Sequence, residues 1–153
     1  MHFRKATIAD VEEMKELFCQ TIEFVCNKDY TAQQIEAWIA TSNNSNRWQE
    51  IIQLQRVLLA LINTKIIGFG TLKNGNYIDL FYIHKDFQKQ GIATAILSKL
   101  EDEAKKMLSK TITADVSITA KSFFEKQGFT ILNKQQNIRN NSILVNYKMQ
   151  KEL

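Results

Sequence analysis

Apolar positions along this chain recur with two periods, and the change from one to the other divides the sequence. Ile8, Val11, Met14, Leu17, Phe18, Ile22 and Val25 keep three- and four-residue spacing, with Glu12, Glu13, Lys15 and Glu16 on the other side. That is an amphipathic helix, with Thr7 as its N-cap and Asp10 in its first turn. Residues 2–6 read as a short strand before it, and Phe18 and Phe24 as core. A second helix starts at the Thr31 cap and gathers Ile35, Trp38 and Ile39 on one face; Thr41 to Asn46 is a polar loop, and Trp48 to Leu54 is a further short helical piece. At Arg56 the pattern becomes that of strands: residues 57–62, 65–72 and 77–83 are rich in β-branched and aromatic residues. They are separated by Asn63-Thr64 and by Asn74-Gly75-Asn76, both turn sequences.

Helical spacing returns with Ile92, Ala95, Ile96, Leu100 and Ala104 over residues 91–108. A strand over 111–115, a short helix over 120–126 closed by Gly128, and strands over 129–133 and 143–149 complete the order. Strands and helices in this sequence give an α+β fold around one mixed sheet. The crossover from strand 77–83 through a helix to strand 111–115 makes those two strands parallel neighbours.

The junction Gln88-Lys89-Gln90-Gly91-Ile92-Ala93 lies where a strand delivers the chain to a helix N-terminus. There the first amides have no carbonyl partner and the helix dipole is positive, so main chain alone can bind an anion. Gly91 permits close approach to the backbone, and Ala93 adds little bulk.

Composition narrows the rest. At 153 residues the chain reads as a single domain over 1–153, and 44% apolar with 24% charged residues indicates neither disorder nor a membrane class. No apolar run is long enough to span a bilayer and the N-terminus lacks the apolar core of a signal peptide, so the expected location is cytoplasmic. The net charge of +4 is dispersed, with Lys105-Lys106 among Glu101, Asp102 and Glu103, which argues against nucleic acid and against a membrane surface as partners. Cys19 and Cys26, seven apart on the first helix, are too distant to pair, and without a histidine cluster they make no metal site.

The pattern formed by Gln88, Gly91 and Ala93 resembles the acyl-CoA pyrophosphate loop of the GCN5-related N-acetyltransferases, the GNAT superfamily. The element order matches that family over nearly the whole chain. Ala120-Lys121-Ser122-Phe123-Phe124-Glu125-Lys126-Gln127-Gly128-Phe129 resembles its last-helix segment. Asp29-Tyr30-Thr31, Gln34-Ile35, Ala37-Trp38 and the closing Asn146-Tyr147-Lys148-Met149 resemble a bacterial YafP-type branch. The resemblance implies a mixed, mainly antiparallel sheet of about six to seven strands flanked by about four helices.

It also implies a reaction: transfer of an acetyl group from acetyl-CoA, as cosubstrate and without a metal, to a primary amine of a small molecule or peptide by direct attack. The amides of Gln88, Lys89, Gln90, Gly91, Ile92 and Ala93 would hold the pyrophosphate. The strand edge from Phe81 to Ile83 would bind the pantetheine arm, and the Ile83 amide would face the developing oxyanion. Asp79, placed on the face of Tyr77 and Phe81 by two-residue alternation, is the leading candidate base, its other readings being a substrate-binding residue that orients the acceptor ammonium or a partner in a buried hydrogen bond; His84 is a second carrier of suitable pKa. Where relatives carry a tyrosine acid this chain has Phe124, and Ser117 stands where many have asparagine, both beside the cofactor. Tyr82 and Tyr30 are the remaining candidate acids. Tyr30, Trp38 and Trp48 belong to the acceptor wall, core packing being the other reading for Trp38. Family habit allows a homodimer. Because the usual acid is missing, a non-catalytic acyl-CoA-binding or sensing module is the competing expectation.

Overall fold

The computed structural model describes all 153 residues. Strand β1 (His2–Lys5) leads through a 3-10 turn (Ile8–Asp10) into α1 (Val11–Val25), followed by α2 (Ala32–Ala40) and α3 (Ser45–Leu54). Then come β2 (Arg56–Ile62), β3 (Lys65–Lys73), β4 (Tyr77–Ile83), α4 (Ile92–Lys106), β5 (Thr111–Ser117), α5 (Lys121–Lys126), β6 (Thr130–Arg139) and β7 (Ser142–Glu152). The seven strands form one sheet in the order β1-β2-β3-β4-β5-β7-β6, antiparallel throughout except between β4 and β5. The α+β reading and the parallel crossover both hold. The helices number five, because the piece around Trp48 is a full helix capped by the Asn44 side chain. No helix is long and apolar enough to cross a membrane.

Helices α1 to α3 cover one face of the sheet and α4 and α5 the other. Met14, Leu17, Phe18, Ile22, Trp48 and Ile51 meet Leu59, Phe69 and Leu80 on the first face. On the second, Ile92, Ile96, Leu97 and Leu100 meet Ile67, Ile78, Ile112 and Met149. Each such side chain contributes about 1.5–3 kcal/mol of transfer free energy. A Cβ at Gly70 would sit 2.8 Å from Leu100 Cδ1, so α4 can lie this close to β3 only over a bare backbone.

Two details of the sheet shape the site. Parallel pairing of β4 with β5 is confined to Tyr77–Thr113 and Ile78–Ala114, after which the strands part. Strand β4 also carries a bulge: Leu72 pairs with Ile78 but Gly70 with Phe81, so three steps on β4 match two on β3, and Thr71 Oγ1 accepts the Leu80 amide at 2.9 Å. Alternation therefore breaks at Asp79-Leu80. Leu80 and Tyr82 pack toward α1 while Ile78, Phe81 and Ile83 pack toward α4. Asp79, bonded to α3, thus lies on the face opposite Phe81, which corrects the placement that simple alternation gives.

Other expectations also change. Ile8 is 59% exposed because the chain reaches helical geometry only at Val11, and Phe24, two residues from buried Ile22 on α1, is 58% exposed on the outer side. Cys26 falls in a 3-10 turn beyond α1 rather than on it. Both cysteines are free, and burial pushes the Cys26 thiol up to about 11. The final hairpin is far longer than the apolar runs suggest. It is built from polar residues around Asn140 and Asn141, whose φ values of 45° and 66° suit a tight primed turn.

Candidate active site

The parting of β4 from β5 leaves a strand edge inside the sheet. The His84 amide donates to the Ile67 carbonyl at 2.9 Å, and Gly68 lies opposite Ile83. By antiparallel alternation the amides of Phe81 and Ile83 therefore point to the other side, into the gap that β5 has vacated. The Ile83 carbonyl on that side is already used, accepting from Thr21 Oγ1 at 2.8 Å and Gln88 Nε2 at 2.7 Å. Two side chains thus hold the Ile83 carbonyl, and what the edge still offers is the amides of Phe81 and Ile83 with the Phe81 carbonyl between them.

At the top of the gap the turn from Gln88 to Ala93 places further amides. Lys89 and Gly91 take φ values of 59° and 83°, and the first bond of α4 runs from the Ala95 amide to the Gly91 carbonyl at 3.1 Å. The amides of Ile92, Ala93 and Thr94 are therefore left for a ligand. Gly91 has no capping side chain over it, no acidic residue occupies the first turn, and a Cβ at Gly91 would meet nothing within 4 Å. The glycine serves the left-handed φ, and the space beside it is open. A cleft of about 1420 Å³ joins this turn to the gap and continues to the α1–α3 face; Gln88 to Thr94, Tyr77 to Ile83 and Asp115 to Ser117 all line it. Free amides at a helix start can bind an anion, and an unpaired strand edge can take up an extended chain.

The α1–α3 side of the cleft is lined by side chains. Tyr82 stands among Phe18, Trp38 and Phe69, with ring centroids 4.7, 6.5 and 5.9 Å away. Burial pushes its phenol well above the usual range, which makes it a weaker acid. The Tyr30 hydroxyl donates to the Val145 carbonyl at 2.7 Å and accepts from the Ile118 amide at 3.0 Å. Burial raises its pKa to about 12, so Tyr30 acts as a clamp between the start of α2 and strands β5 and β7 rather than as a free acid. Trp38 packs edge-on against Tyr30 at 5.2 Å and lines the cleft. Trp48 is buried, its indole donating to the Ser42 carbonyl at 3.0 Å.

Asp79 has both oxygens engaged: Arg47 Nη2 donates to one at 3.0 Å and Gln55 Nε2 to the other at 2.7 Å. Ser117 Oγ, at the cleft, accepts the Ala120 amide at 3.1 Å and so sets the turn into α5. Phe124 is 2% exposed among Phe81, Phe123 and Phe129, while Phe123 stacks on Phe81 at 6.0 Å from a more open position. His84 caps the turn after β4, its Nδ1 accepting the Asp86 amide at 3.0 Å. Burial, then Lys65, lowers its pKa.

Sequence reasoning passed over three groups. Thr21 is a buried polar residue on the core-facing side of α1 and Arg47 an exposed residue of α3, and both become site residues only when those helices dock on the sheet. The third is a network across four strands: Tyr77 Oη donates to Asp115 Oδ2 at 2.6 Å, Gln135 Nε2 to Asp115 Oδ1 at 2.8 Å, and Gln135 and Asn137 each to Asn146 Oδ1 at 2.9 Å. Asp115 could have been found, since it breaks a strand in the same way as Asp79.

Comparison with known proteins places this geometry. Residues 26–151 match the family model described as an acetyltransferase (GNAT) domain. Over 127 residues, 83% of this chain and 79% of the relative, it is 30% identical to a protein of Escherichia coli K12 named as an uncharacterized N-acetyltransferase, YafP. A GCN5-related N-acetyltransferase crystal structure from Rhodopseudomonas palustris superposes with a TM-score of 0.96 at 27% identity, covering 99% of this chain and 95% of that one. PaiA N-acetyltransferase from Thermoplasma acidophilum, solved in complex with coenzyme A, has the same fold with a TM-score of 0.80 at 21% identity, covering 99% and 98%. A free-amide turn above a parted strand pair, the family match and the 30% identity lead to one conclusion: this chain belongs to the GNAT family of acetyltransferases.

Proposed function

We propose that this protein transfers the acetyl group of acetyl-CoA to a primary amine by direct attack of the amine on the thioester. The observation that carries the reading is the continuity of one cleft from the free amides of Ile92 to Thr94 to the unpaired edge amides of Phe81 and Ile83. The turn from Gln88 to Ala93 holds the pyrophosphate, the β4 edge aligns the pantetheine arm, and an edge amide, that of Ile83 or its neighbour Phe81, meets the oxyanion of the tetrahedral intermediate. Thr21 and Gln88 hold the Ile83 carbonyl and with it the strand end that carries the donor amide, so the amide needs little reorganisation as charge develops, which is the condition for such a donor to lower a barrier.

The amine approaches from the α1–α3 face, between Trp38 and Tyr82. The ammonium first gives one proton to cleft water, the free amine forms the new C–N bond as the C–S bond breaks, and the second nitrogen proton passes to water as CoA leaves as thiolate. With Tyr30 occupied, Phe124 lacking a hydroxyl and the Tyr82 proton held more tightly by burial, the thiolate takes its proton from water. Asp79, held by Arg47 and Gln55, orients the acceptor wall; deprotonating an amine would require that pair to open.

The test is thiol release from acetyl-CoA across a panel of primary amines, run beside a thermal-shift titration with CoA. Amine-dependent release with CoA stabilisation supports the transferase. The full engagement of Asp79 and Tyr30 favours the second reading, a non-catalytic acyl-CoA-binding module, which gives CoA stabilisation with no release for any amine.

A further inference from the structure

We infer that Asp115 is the residue that receives the acceptor's ammonium group. This rests on the acetyltransferase reading for the identity of the occupant, but its geometry stands apart from the CoA half of the site.

Two carboxylates lie at the fork where β4 and β5 separate, and they differ in what holds them. Asp79 is neutralised by Arg47 and turned toward α3. Asp115, the first residue of β5 beyond the last parallel pair Ile78–Ala114, is held by the Tyr77 hydroxyl and the Gln135 amide, both uncharged. Lys148, its cross-strand neighbour on β7, makes no ion pair with it, and neither does any other basic side chain. Asp115 is exposed and lines the cleft, so a full negative charge faces the space the acceptor must enter.

Its two anchors also fix its direction. Tyr77 Oη takes one oxygen and Gln135 the other, and Gln135 is itself braced on Asn146, which Asn137 also holds. Four strands therefore converge to aim one carboxylate. Such a network gives little to stability at an exposed position, since exposed polar pairs contribute weakly. Its return is orientation: a carboxylate with remaining lone pairs receives an ammonium through charge-assisted hydrogen bonds. The aromatic rings of Tyr77, Trp38 and Tyr82 line the same cleft and suit the methylenes beside a cation.

The decisive variant is Asp115→Asn, nearly isosteric and still able to bond with Tyr77 and Gln135. It is compared with Asp115→Glu, Asp79→Asn and the unaltered protein, each saturated with CoA. Butylamine, 1,4-diaminobutane and 2-phenylethylamine are titrated in and followed by the chemical shifts of the cleft amides. Acetylation of the same amines is measured in parallel. The expected result is a tenfold or greater loss of affinity, and a matching rise in the amine KM, for Asp115→Asn. CoA affinity and melting temperature stay unchanged, and Asp115→Glu recovers part of the loss. Amine affinity in Asp115→Asn within twofold of the unaltered protein overturns the inference, as does a larger loss in Asp79→Asn than in Asp115→Asn. Absence of binding by all three amines also overturns it. Amine binding that needs Asp115 but yields no acetylation upholds the inference and rejects the transferase reading instead.

Discussion

The two halves of the cleft, the amide-lined end proposed for the donor and the α1–α3 side proposed for the acceptor, are built from different materials. Around the turn from Gln88 to Ala93 and the edge of β4, the groups facing the ligand are main-chain amides, placed by two positive φ values, a helix start and a missing strand contact. On the α1–α3 side the facing groups are side chains drawn from separate helices, strands and turns, tied by the Arg47–Asp79 and Tyr77–Asp115 contacts and by the Tyr30 hydroxyl on the Val145 carbonyl. A backbone site tolerates change at most positions and fails at one or two. A side-chain site can be altered residue by residue, each change carrying its own cost. A chain built this way keeps one donor while the residues that meet the acceptor are free to vary.

The largest effect expected from this contrast is at Gly91. Gly91→Val forces a β-branched residue to a φ of 83°, at a cost of about 1–3 kcal/mol. The affinity for acetyl-CoA falls roughly tenfold to a hundredfold, read by calorimetry. Lys89→Gly, at a φ of 59°, keeps the amides and removes only an exposed charge. Its affinity should change severalfold at low salt and little at high salt; a Gly91-sized loss would show that side chains, not main chain, make the turn.

Next comes Tyr30→Phe, which leaves the Val145 carbonyl and the Ile118 amide without their partner. That costs about 1–3 kcal/mol, a fall of several degrees in melting temperature. The acceptor KM should rise as the wall loosens while the affinity for CoA stays the same. Equal damage to both would mean that the two halves are not separable.

Arg47→Gln is expected to cost less, about 1 kcal/mol, because the guanidinium is about half exposed and the pair is screened on that side. Denaturant unfolding reads it. An increase in turnover on this change, with Asp79 released, would return the role of base to Asp79.

The smallest effect is a pH dependence in the donor half. His84 accepts the Asp86 amide through Nδ1 and so must be neutral there, and its pKa is lowered below the ordinary 6.5. A histidine kept neutral by the fold adds stability that is fully present above its unfolded pKa and is lost as pH falls through the lowered folded value. Acetyl-CoA affinity should therefore weaken modestly as pH falls below the ordinary histidine value, following His84 in a proton NMR titration. His84→Asn can cap the same amide without titrating and should flatten that decline.

The comparison also explains which parts could be read in advance. The donor half is local: a strand, a glycine turn and an amphipathic helix follow one another within residues 77–106, so period and turn chemistry place Gln88 to Ala93 without knowledge of the fold. The acceptor half is assembled across long separations. Arg47 meets Asp79 thirty-two positions on, Tyr77 meets Asp115 thirty-eight on, and Tyr30 meets Val145 one hundred and fifteen on. No local pattern encodes such meetings. Asp79 illustrates the limit: alternation put it beside Phe81, and one bulge, set by the pairing of β3 with β4, turned it to the other face.

What the sequence alone determined is the set of elements, the parallel crossover and the position of the amide turn, because each depends on residues that are neighbours in the chain. Only the tertiary structure decided that β4 and β5 pair for two residues and then part. It also decided that Thr21 and Gln88 lock the freed edge, and that of two carboxylates at the fork one is neutralised and the other left charged. Those outcomes depend on how the sheet twists apart and on which helix docks over which strand, and burial and pairing at a distance fix both.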